Sequence, residues 1–279
     1  MAQPEDIDRF DRERERPVSS APSVPPANVR RQQMLRVIRG RDFVRVVDLS
    51  AMFGISEVTV RSDLADLARS GQVRRVHGGA VSPSRGERPF EETQGAHSTE
   101  KTAIGRAAAA LVADGDTVIL DVGTTTTATA HALLERAELR DVVVFTNALN
   151  IAFVLEAATP RMTVVVTGGT LRPLQHSLVD PLGGLILERI NANIVFLGCN
   201  GIDPVGGVTN INLPEADMKR RMQRAGRRRI VVADGSKVGA VELAPLCDVS
   251  EVDLLITGPS ADAGIVAALR GRGLDVLVT

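Results

Sequence analysis

The first folded part of the chain carries apolar residues at helical spacing. Met34, Leu35 and Ile38 predict a first helix from about residue 29 that ends near Gly40. A short extended segment, residues 43–46, follows this helix and predicts a strand. The pattern therefore begins with a helix and a strand rather than with a long amphipathic stretch.

Two short amphipathic helices come next, separated by a turn of a few residues that contains glycine. Asp48 is expected to cap the first helix, and Ser56 the second, which ends near Gly71. Two helices in this arrangement are typical of a helix-turn-helix. Residues 73–81 are β-prone on both sides of a Gly-Gly pair, which predicts a hairpin. Together these elements predict a winged helix-turn-helix over residues 28–82.

From Lys101 onward, continuous apolar runs alternate with helical stretches. Such runs predict buried, mostly parallel strands covered by helices on both faces. The predicted strands are residues 117–120, 142–145, 163–166, 194–197, 229–233, 252–256 and 275–278. Predicted helices between them include residues 103–112, 128–136, 182–190 and 214–224. The predicted fold class is α/β: a small N-terminal winged helix-turn-helix followed by a domain with a Rossmann-like, mostly parallel sheet.

The remaining segments set the domain boundaries. A length of 279 residues favours two domains. Residues 1–27 combine mixed charges with several prolines and are expected to form a disordered arm. Residues 83–99 are polar and contain glycine, so they are expected to form a linker. The α/β domain is then predicted to cover residues 100–279.

The formal net charge of -1 conceals a basic module. Residues 28–82 hold ten arginines and five acidic residues, which indicates that this module alone meets a polyanion. We find no long apolar run, no secretory signal, and only two cysteines and four histidines, all scattered. The expected protein is cytoplasmic, with no membrane segment, no structural disulfide, no metal site and no cofactor.

A winged helix-turn-helix places its third helix in the major groove of DNA. On that helix Arg61 suits a bidentate contact to guanine, whereas Ser56 and Thr59 suit phosphates. The wing supplies further basic residues for the minor groove or the backbone. The predicted DNA contacts are Arg30, Ser56, Thr59, Arg61, Ser62, Arg74, Arg75 and His77. The alternative is a small interaction module whose arginines form a solvated face.

The first predicted strand of the α/β domain runs through Asp121 into a turn of glycine and threonines and then into a helix. Backbone N–H groups, hydroxyls and the positive end of the helix dipole at such a turn favour an anion, although a simple helix cap is the alternative. Other strands end at the same edge, where ligands of open α/β sheets bind. The glycine pairs there are also explained as turns, and Lys237 as a solvated loop lysine. The predicted effector-binding residues are Asp121, Gly123, Thr124, Thr125, Thr126, Asn147, Gly168, Gly169, Asn200, Asp203, Glu215 and Lys237.

A resemblance to one family becomes specific on these motifs. Residues 54–64 and 75–80 resemble the N-terminal signature of the DeoR family of bacterial regulators, and ordered motifs between Glu100 and Lys237 resemble the rest of that family. The resemblance covers about residues 30 to 257. It implies an effector domain related in fold to ribose-5-phosphate isomerase, which binds a phosphorylated sugar or a related metabolite. It also implies a regulator of carbohydrate or nucleoside metabolism, usually a repressor. We expect this regulator to bind a double-stranded DNA operator as a homodimer or homotetramer.

Three positions depart from the family pattern. Ser62 replaces the second of two consecutive arginines, so the sequence that is read in DNA is expected to differ. Asp180 replaces a common glycine, and Glu92-Thr93 stands near a position that often holds arginine. These departures leave the identity of the effector open.

Two alternatives to an effector-responsive regulator remain. In a sugar-phosphate isomerase, Glu215 would act as general base while Lys237 or Asn200 stabilises an enediolate. The segment Cys199 to Asp203 is less acidic than its isomerase counterpart, so we expect no catalytic residue. In the other alternative the protein is a constitutive DNA-binding scaffold without a ligand.

Overall fold

The computed structural model divides the chain into two compact units, Met1–Arg85 and Gly86–Thr279. The structure describes residues 26–39, 44–69, 73–76, 78–81 and 88–279. Residues 1–25 of the predicted arm lie outside these ranges, and so do Gly40, Gly71 and His77 of the sequence predictions.

The first unit is a winged helix-turn-helix, as predicted. In chain order it contains α1 (Ala27–Arg39), β1 (Val44–Arg45), α2 (Val46–Phe53), α3 (Glu57–Arg69), β2 (Arg74–Val76) and β3 (Gly79–Val81). The three strands form an antiparallel sheet in the order β1, β3, β2. Apolar side chains of all three helices form one buried core, which includes Met34, Ile38, Leu49, Val60 and Leu64.

Local capping explains where the helices of this unit begin and end. Gly54 ends α2 in the left-handed conformation, at φ 62°, which glycine adopts without steric cost. The Ser56 hydroxyl caps α3 by accepting a hydrogen bond from the Thr59 N–H at 3.2 Å, as predicted. The predicted cap at Asp48 is wrong, because α2 begins at Val46. Asp48 instead lies in its first turn and pairs with Arg45 at 2.8 Å.

The second unit follows the predicted alternation of strands and helices. In chain order it contains α4 (Phe90–Gln94), α5 (Ser98–Ala109), β4 (Thr117–Leu120), α6 (Thr124–Glu135), β5 (Val142–Thr146), α7 (Leu149–Glu156), β6 (Met162–Val166), β7 (Thr170–Arg172), β8 (Ser177–Val179), α8 (Leu182–Leu187), β9 (Ala192–Leu197), β10 (Gly201–Asp203), β11 (Gly207–Asn210), α9 (Leu213–Ala225), β12 (Gly226–Val232), β13 (Ala244–Cys247), β14 (Leu254–Thr257), α10 (Ala263–Gly271) and β15 (Asp275–Val278).

Seven of these strands form one parallel sheet in the order β15, β14, β12, β9, β4, β5, β6. They are the seven strands that the apolar runs predict. Helices α5, α6 and α7 pack on one face of the sheet, and α8, α9 and α10 pack on the other. The strand order reverses between β4 and β9. This topological switch point opens a crevice at the carboxyl ends of the strands.

The structure corrects the extent of the predicted linker. Residues 90–94 form α4, and α5 begins at Ser98, so the end of the predicted linker belongs to the second unit. The Phe90 side chain is buried and anchors α4. One apolar residue among polar ones shows no periodicity, which is why the sequence pattern missed this helix. Within the described ranges, no helix is long and apolar enough to cross a membrane.

Candidate DNA-binding surface and effector site

Helix α3 exposes the side chains predicted to read DNA. Arg61 and Ser62 are exposed, and Thr59 is half-buried next to the Ser56 hydroxyl, at 2.9 Å. Arg61 donates a hydrogen bond to Glu57, one helical turn earlier, at 2.6 Å. An exposed ion pair of this kind contributes little to stability, so Arg61 is free to exchange it for a base edge.

Arg30 corrects the predicted DNA contacts. Its side chain is buried, and its Nε donates to Asp63 Oδ2 at 2.7 Å, which joins α1 to α3. A buried guanidinium held in this way stabilises the unit and does not reach DNA. No local pattern predicted this ion pair, because Asp63 also fits the solvated side of a helix.

The wing presents arginine on a short strand. Arg74 and Arg75 are neighbours on β2, and the side chain of Arg75 is exposed. Its exposure leaves Arg75 accessible for the predicted DNA contact.

A buried ion pair occupies the switch point between β4 and β9. Asp121 follows β4 and is fully buried, and Lys219 of α9 contacts its Oδ2. The same oxygen accepts the Gly198 N–H at 3.0 Å, and Lys219 Nζ donates to the Gly198 carbonyl at 3.0 Å. Asp121 Oδ1 has no hydrogen-bond partner within the described part of the chain. Burial raises the pKa of Asp121 to about 6, against the lowering effect of Lys219.

The turn after β4 leads into α6 as predicted, four residues earlier than the predicted helix. Gly123 precedes the helix, and its carbonyl accepts the hydroxyls of Thr126 and Thr127 at 2.9 and 2.7 Å. Thr126 is fully buried, and its hydroxyl is engaged by the backbone carbonyl of this turn. The N–H groups of the first turn have no partner inside the helix. Thr124, which is partly exposed, therefore remains the threonine best placed for an anion.

All three lysines of the chain lie around this edge of the sheet. The charges of Lys219 and Lys237 both oppose the burial that raises the pKa of the Cys199 thiol to about 12. Burial lowers the pKa of Lys101, with Asp234 opposing and Lys237 reinforcing the shift. Lys101 Nζ donates to the Thr93 carbonyl at 2.8 Å. The Lys237 side chain makes no hydrogen bond or ion pair with any residue that the structure describes, whereas its backbone N–H donates to the Asp234 carbonyl at 3.0 Å.

Asn147 is a structural residue rather than a ligand contact, which corrects its predicted role. Its side chain is fully buried. The amide oxygen accepts the Val122 N–H at 3.0 Å, and the amide nitrogen donates to the Leu178 carbonyl at 3.1 Å. Asn147 therefore fixes the end of β4 to the hairpin of β7 and β8.

We expect Asn147→Ala to lower the free energy of unfolding of the second unit by about 2 kcal/mol or more, because two buried backbone groups lose their partners. Chemical denaturation monitored by circular dichroism measures this change. Asn150→Ala, on the following helix, is the matched control. If the two variants are equally stable, the role given to Asn147 is wrong.

Four other predicted contacts are turn residues, which the structure shows at strand ends. Gly168 has φ 75°, and a Cβ at Gly169 would lie 2.2 Å from the Val179 carbonyl oxygen. The Asp203 carboxylate accepts the N–H groups of residues 205 and 206 at 2.8 Å. The Asn200 amide oxygen accepts the Ile211 N–H at 3.1 Å. Turn formation and close approach of the backbone account for these four residues. For the two glycines, this agrees with the alternative that explains them as turns.

Glu215 lies at the start of α9 and is buried. Its Oε1 accepts the Ser177 hydroxyl at 2.7 Å and contacts Arg172 Nη1. Sequence analysis missed Arg172 and Lys219. The rarity of lysine was a usable signal for Lys219, whereas Arg172 is one arginine among many.

Asp180 pairs with an arginine and not with one of the three lysines. Its Oδ2 lies 3.5 Å from Arg221 Nε, and a Cβ on Gly184 would lie 2.7 Å from its Oδ1. The carboxylate thus faces α8 and α9. The carboxylate that replaces the common glycine of the family is therefore paired with Arg221.

Among the described residues, His97, Glu100 and Asp234 place potential metal ligands within 4.8 Å of one another. The Glu100 carboxylate already accepts the Ser260 hydroxyl, at 2.8 Å to Oε1, and the Gly235 N–H. Lys101 and Lys237 add positive charge beside Asp234. These partners explain the cluster as a structural junction of α5 with the ends of β12 and β14.

A winged helix-turn-helix followed by an α/β unit is the architecture of a two-domain transcriptional regulator. Residues 30–86 match the family model described as "DeoR-like helix-turn-helix domain", and residues 96–259 match "DeoR C terminal sensor domain". The chain belongs to the DeoR family. It is a DNA-binding regulator and not an enzyme, and the isomerase alternative is not favoured.

Curated relatives cover nearly the whole chain. The putative aga operon transcriptional repressor of Escherichia coli O157:H7 is 34% identical over 89% of this chain and 93% of its own length. The glycerol-3-phosphate regulon repressor of Escherichia coli K12 is 28% identical over 88% of this chain and 97% of its own.

Solved structures overlap the chain partially. Ribose 5-phosphate isomerase A from Methanocaldococcus jannaschii has a TM-score of 0.39 and 16% identity, over 51% of this chain and 55% of that chain. The sorbitol operon regulator SorC from Klebsiella pneumoniae has a TM-score of 0.31 and 11% identity, over 76% of this chain and 89% of that chain.

Proposed function

We propose that this regulator represses genes of carbohydrate or nucleoside metabolism and that a phosphorylated sugar lowers its affinity for the operator. The lysine-lined edge carries the proposal. Lys237 is a cation with no partner among the described residues, and it lies close enough to Lys101 to lower the pKa of that amine. The first turn of α6 adds backbone N–H groups to the same edge, which suits a phosphate.

The rest of the crevice suits a sugar. Asp121 Oδ1 is an acceptor without a donor among the described residues, and because it is fully buried, a sugar hydroxyl reaches it only when the crevice opens. Relatives named for the aga operon and the glycerol-3-phosphate regulon support effectors of this chemical class.

The mechanism is a shift between two arrangements of a homodimer or homotetramer in the cytoplasm. Two winged helices reach adjacent half-sites of the operator in one arrangement only. The effector changes the affinity for DNA by its own differential affinity for the two arrangements.

A thermal shift assay tests the effector. The panel contains ribose 5-phosphate, glucosamine 6-phosphate and glycerol 3-phosphate, with the unphosphorylated compounds and inorganic phosphate as controls. Stabilisation without turnover supports a sensor, turnover supports an isomerase, and no response from any compound supports a constitutive scaffold.

Lys237→Met is expected to weaken the binding of the stabilising sugar phosphate about tenfold, because a charge-assisted contact to phosphate contributes about 1.5 kcal/mol. Isothermal titration measures the change. Arg270→Met, an exposed cation of α10, is the control and should bind normally. Equal affinities for the two variants contradict the role of Lys237.

A further inference from the structure

The hairpin of β7 and β8 is fastened to the effector crevice at the end next to its turn. Arg172 ends β7 and Ser177 begins β8, so the two residues pair directly before and after the turn, and both hold the buried carboxylate of Glu215. Asn147 holds β8 a second time, through the Leu178 carbonyl at 3.1 Å. The strands of the hairpin are therefore positioned by side chains of the crevice.

The tip of the same hairpin holds helix α4. His176 Nε2 lies 2.7 Å from Glu91 Oε1, and its ring meets the ring of Phe90 edge to face, with 5.7 Å between centroids. Gln175 donates to the Arg88 carbonyl. Phe90 is the buried anchor of this contact, whereas the ion pair of Glu91 is exposed.

The other end of α4 is held by the lysine-lined edge. The Thr93 carbonyl accepts Lys101 Nζ at 2.8 Å. Helix α4 is thus tied at one end to Lys101 and at the other, through the hairpin, to Glu215. It is also the first described helix after the DNA-binding unit in chain order.

We propose that α4 and the hairpin, residues 88–94 and 170–179, form a clasp that transmits occupancy of the crevice to the DNA-binding unit. The proposal rests on the function proposed above. Lys101 and Glu215 have a fixed number of hydrogen-bonding positions, so a ligand that engages either one competes with the clasp for it. Ligand binding and clasp opening are then coupled, and the coupling is reciprocal.

Hydrogen–deuterium exchange of the full-length protein tests the clasp without any effector. The amides of Glu92 and Thr93 donate to the Pro89 carbonyl and report on α4. Ser177→Ala and Arg172→Ala should speed their exchange about fivefold or more, although both changes are made at the crevice. Leu171→Ala, an exposed neighbour on the same strand, should not. Thermal denaturation checks that each variant is folded.

If the amides of α4 exchange at the same rate in Ser177→Ala and Leu171→Ala, the proposal is overturned. If Arg172→Ala does not fold, Ser177→Ala decides the question, because it removes a single hydroxyl.

A second arm uses DNA and distinguishes the clasp from the proposed effector. In His176→Ala, which contacts neither the proposed effector nor DNA, ribose 5-phosphate or glycerol 3-phosphate should bind at least as tightly as in the parent protein, because a weakened clasp competes less, but should change DNA affinity about fivefold less. An unchanged response of DNA affinity overturns the clasp while the sensor stands. If neither compound binds even the parent protein, the proposed effector class fails, and the exchange measurements alone decide on the clasp.

Discussion

Lys219→Met is expected to lower the free energy of unfolding of the α/β unit by about 3 to 5 kcal/mol, because it leaves a buried carboxylate without its counter-charge. Asp121 is fully buried and Lys219 nearly so. Two donors, Lys219 Nζ and the Gly198 N–H, hold one oxygen of Asp121, while the other has no partner among the described residues. The carboxylate has little else to stabilise its charge.

The loss of stability in Lys219→Met should increase with pH. The folded pKa of Asp121 is about 6, above the ordinary value near 4 that applies to the unfolded chain. Protonation of Asp121 therefore stabilises the folded state below pH 4, and this contribution to stability is lost as the pH rises through 6. Without Lys219 the folded pKa rises further, so the loss continues to higher pH. The variant should therefore be closer in stability to the parent at pH 5 than at pH 8.

Urea denaturation at the two pH values measures both effects. Arg224→Met, at an exposed position of the same helix, controls for the loss of a long cationic side chain. Asp121→Asn combined with Lys219→Met removes both charges and should recover part of the stability. If Lys219→Met costs no more than Arg224→Met, or if its deficit is the same at both pH values, the buried pair has been misinterpreted.

Arg61→Ala is expected to reduce the preference for the operator over random DNA by about 1 to 3 kcal/mol, or about fivefold to 150-fold. Arg61 is an exposed guanidinium in the first half of α3, and its partner Glu57 is also exposed. Footprinting across the genome supplies the operator, and titrations of both DNAs at several salt concentrations supply the affinities.

Two further variants separate base reading from phosphate binding. Arg75→Ala, on the wing, should weaken binding to both DNAs alike and reduce the salt dependence of binding by about one unit of slope. Glu57→Gln should keep the preference for the operator, because it only frees Arg61. If Arg61→Ala behaves like Arg75→Ala, α3 does not read the operator through Arg61.

Much of the fold was readable from the sequence. The seven parallel strands match seven apolar runs, because a strand covered on both faces must be apolar throughout. Gly54 and Ser56 marked helix ends through local backbone chemistry that requires no tertiary contact. Helix α4 was missed because its single anchor, Phe90, is buried by distant parts of the chain.

The sequence predicted the position of the site better than the residues that form it. Strand ends meet at one edge of a parallel sheet, so Asp121, the turn after it and Lys237 could be assigned to a common crevice. Arg30, Asn147 and Asp203 are predicted contacts that the structure shows engaged with Asp63 or with backbone groups. A polar side chain near a site looks the same in sequence whether it binds a ligand or a backbone group.

The sequence by itself determined the two domains, their order, the helix-turn-helix, the α/β alternation and the family. It did so because periodicity, caps and turn motifs are local properties. Tertiary structure alone decided which side chains are already engaged: Arg30 with Asp63, Lys219 with Asp121, and Arg172 with Glu215. These partners lie 33, 98 and 43 residues apart. Long-range pairing in a low-dielectric interior depends on how the elements pack, and no local pattern encodes it.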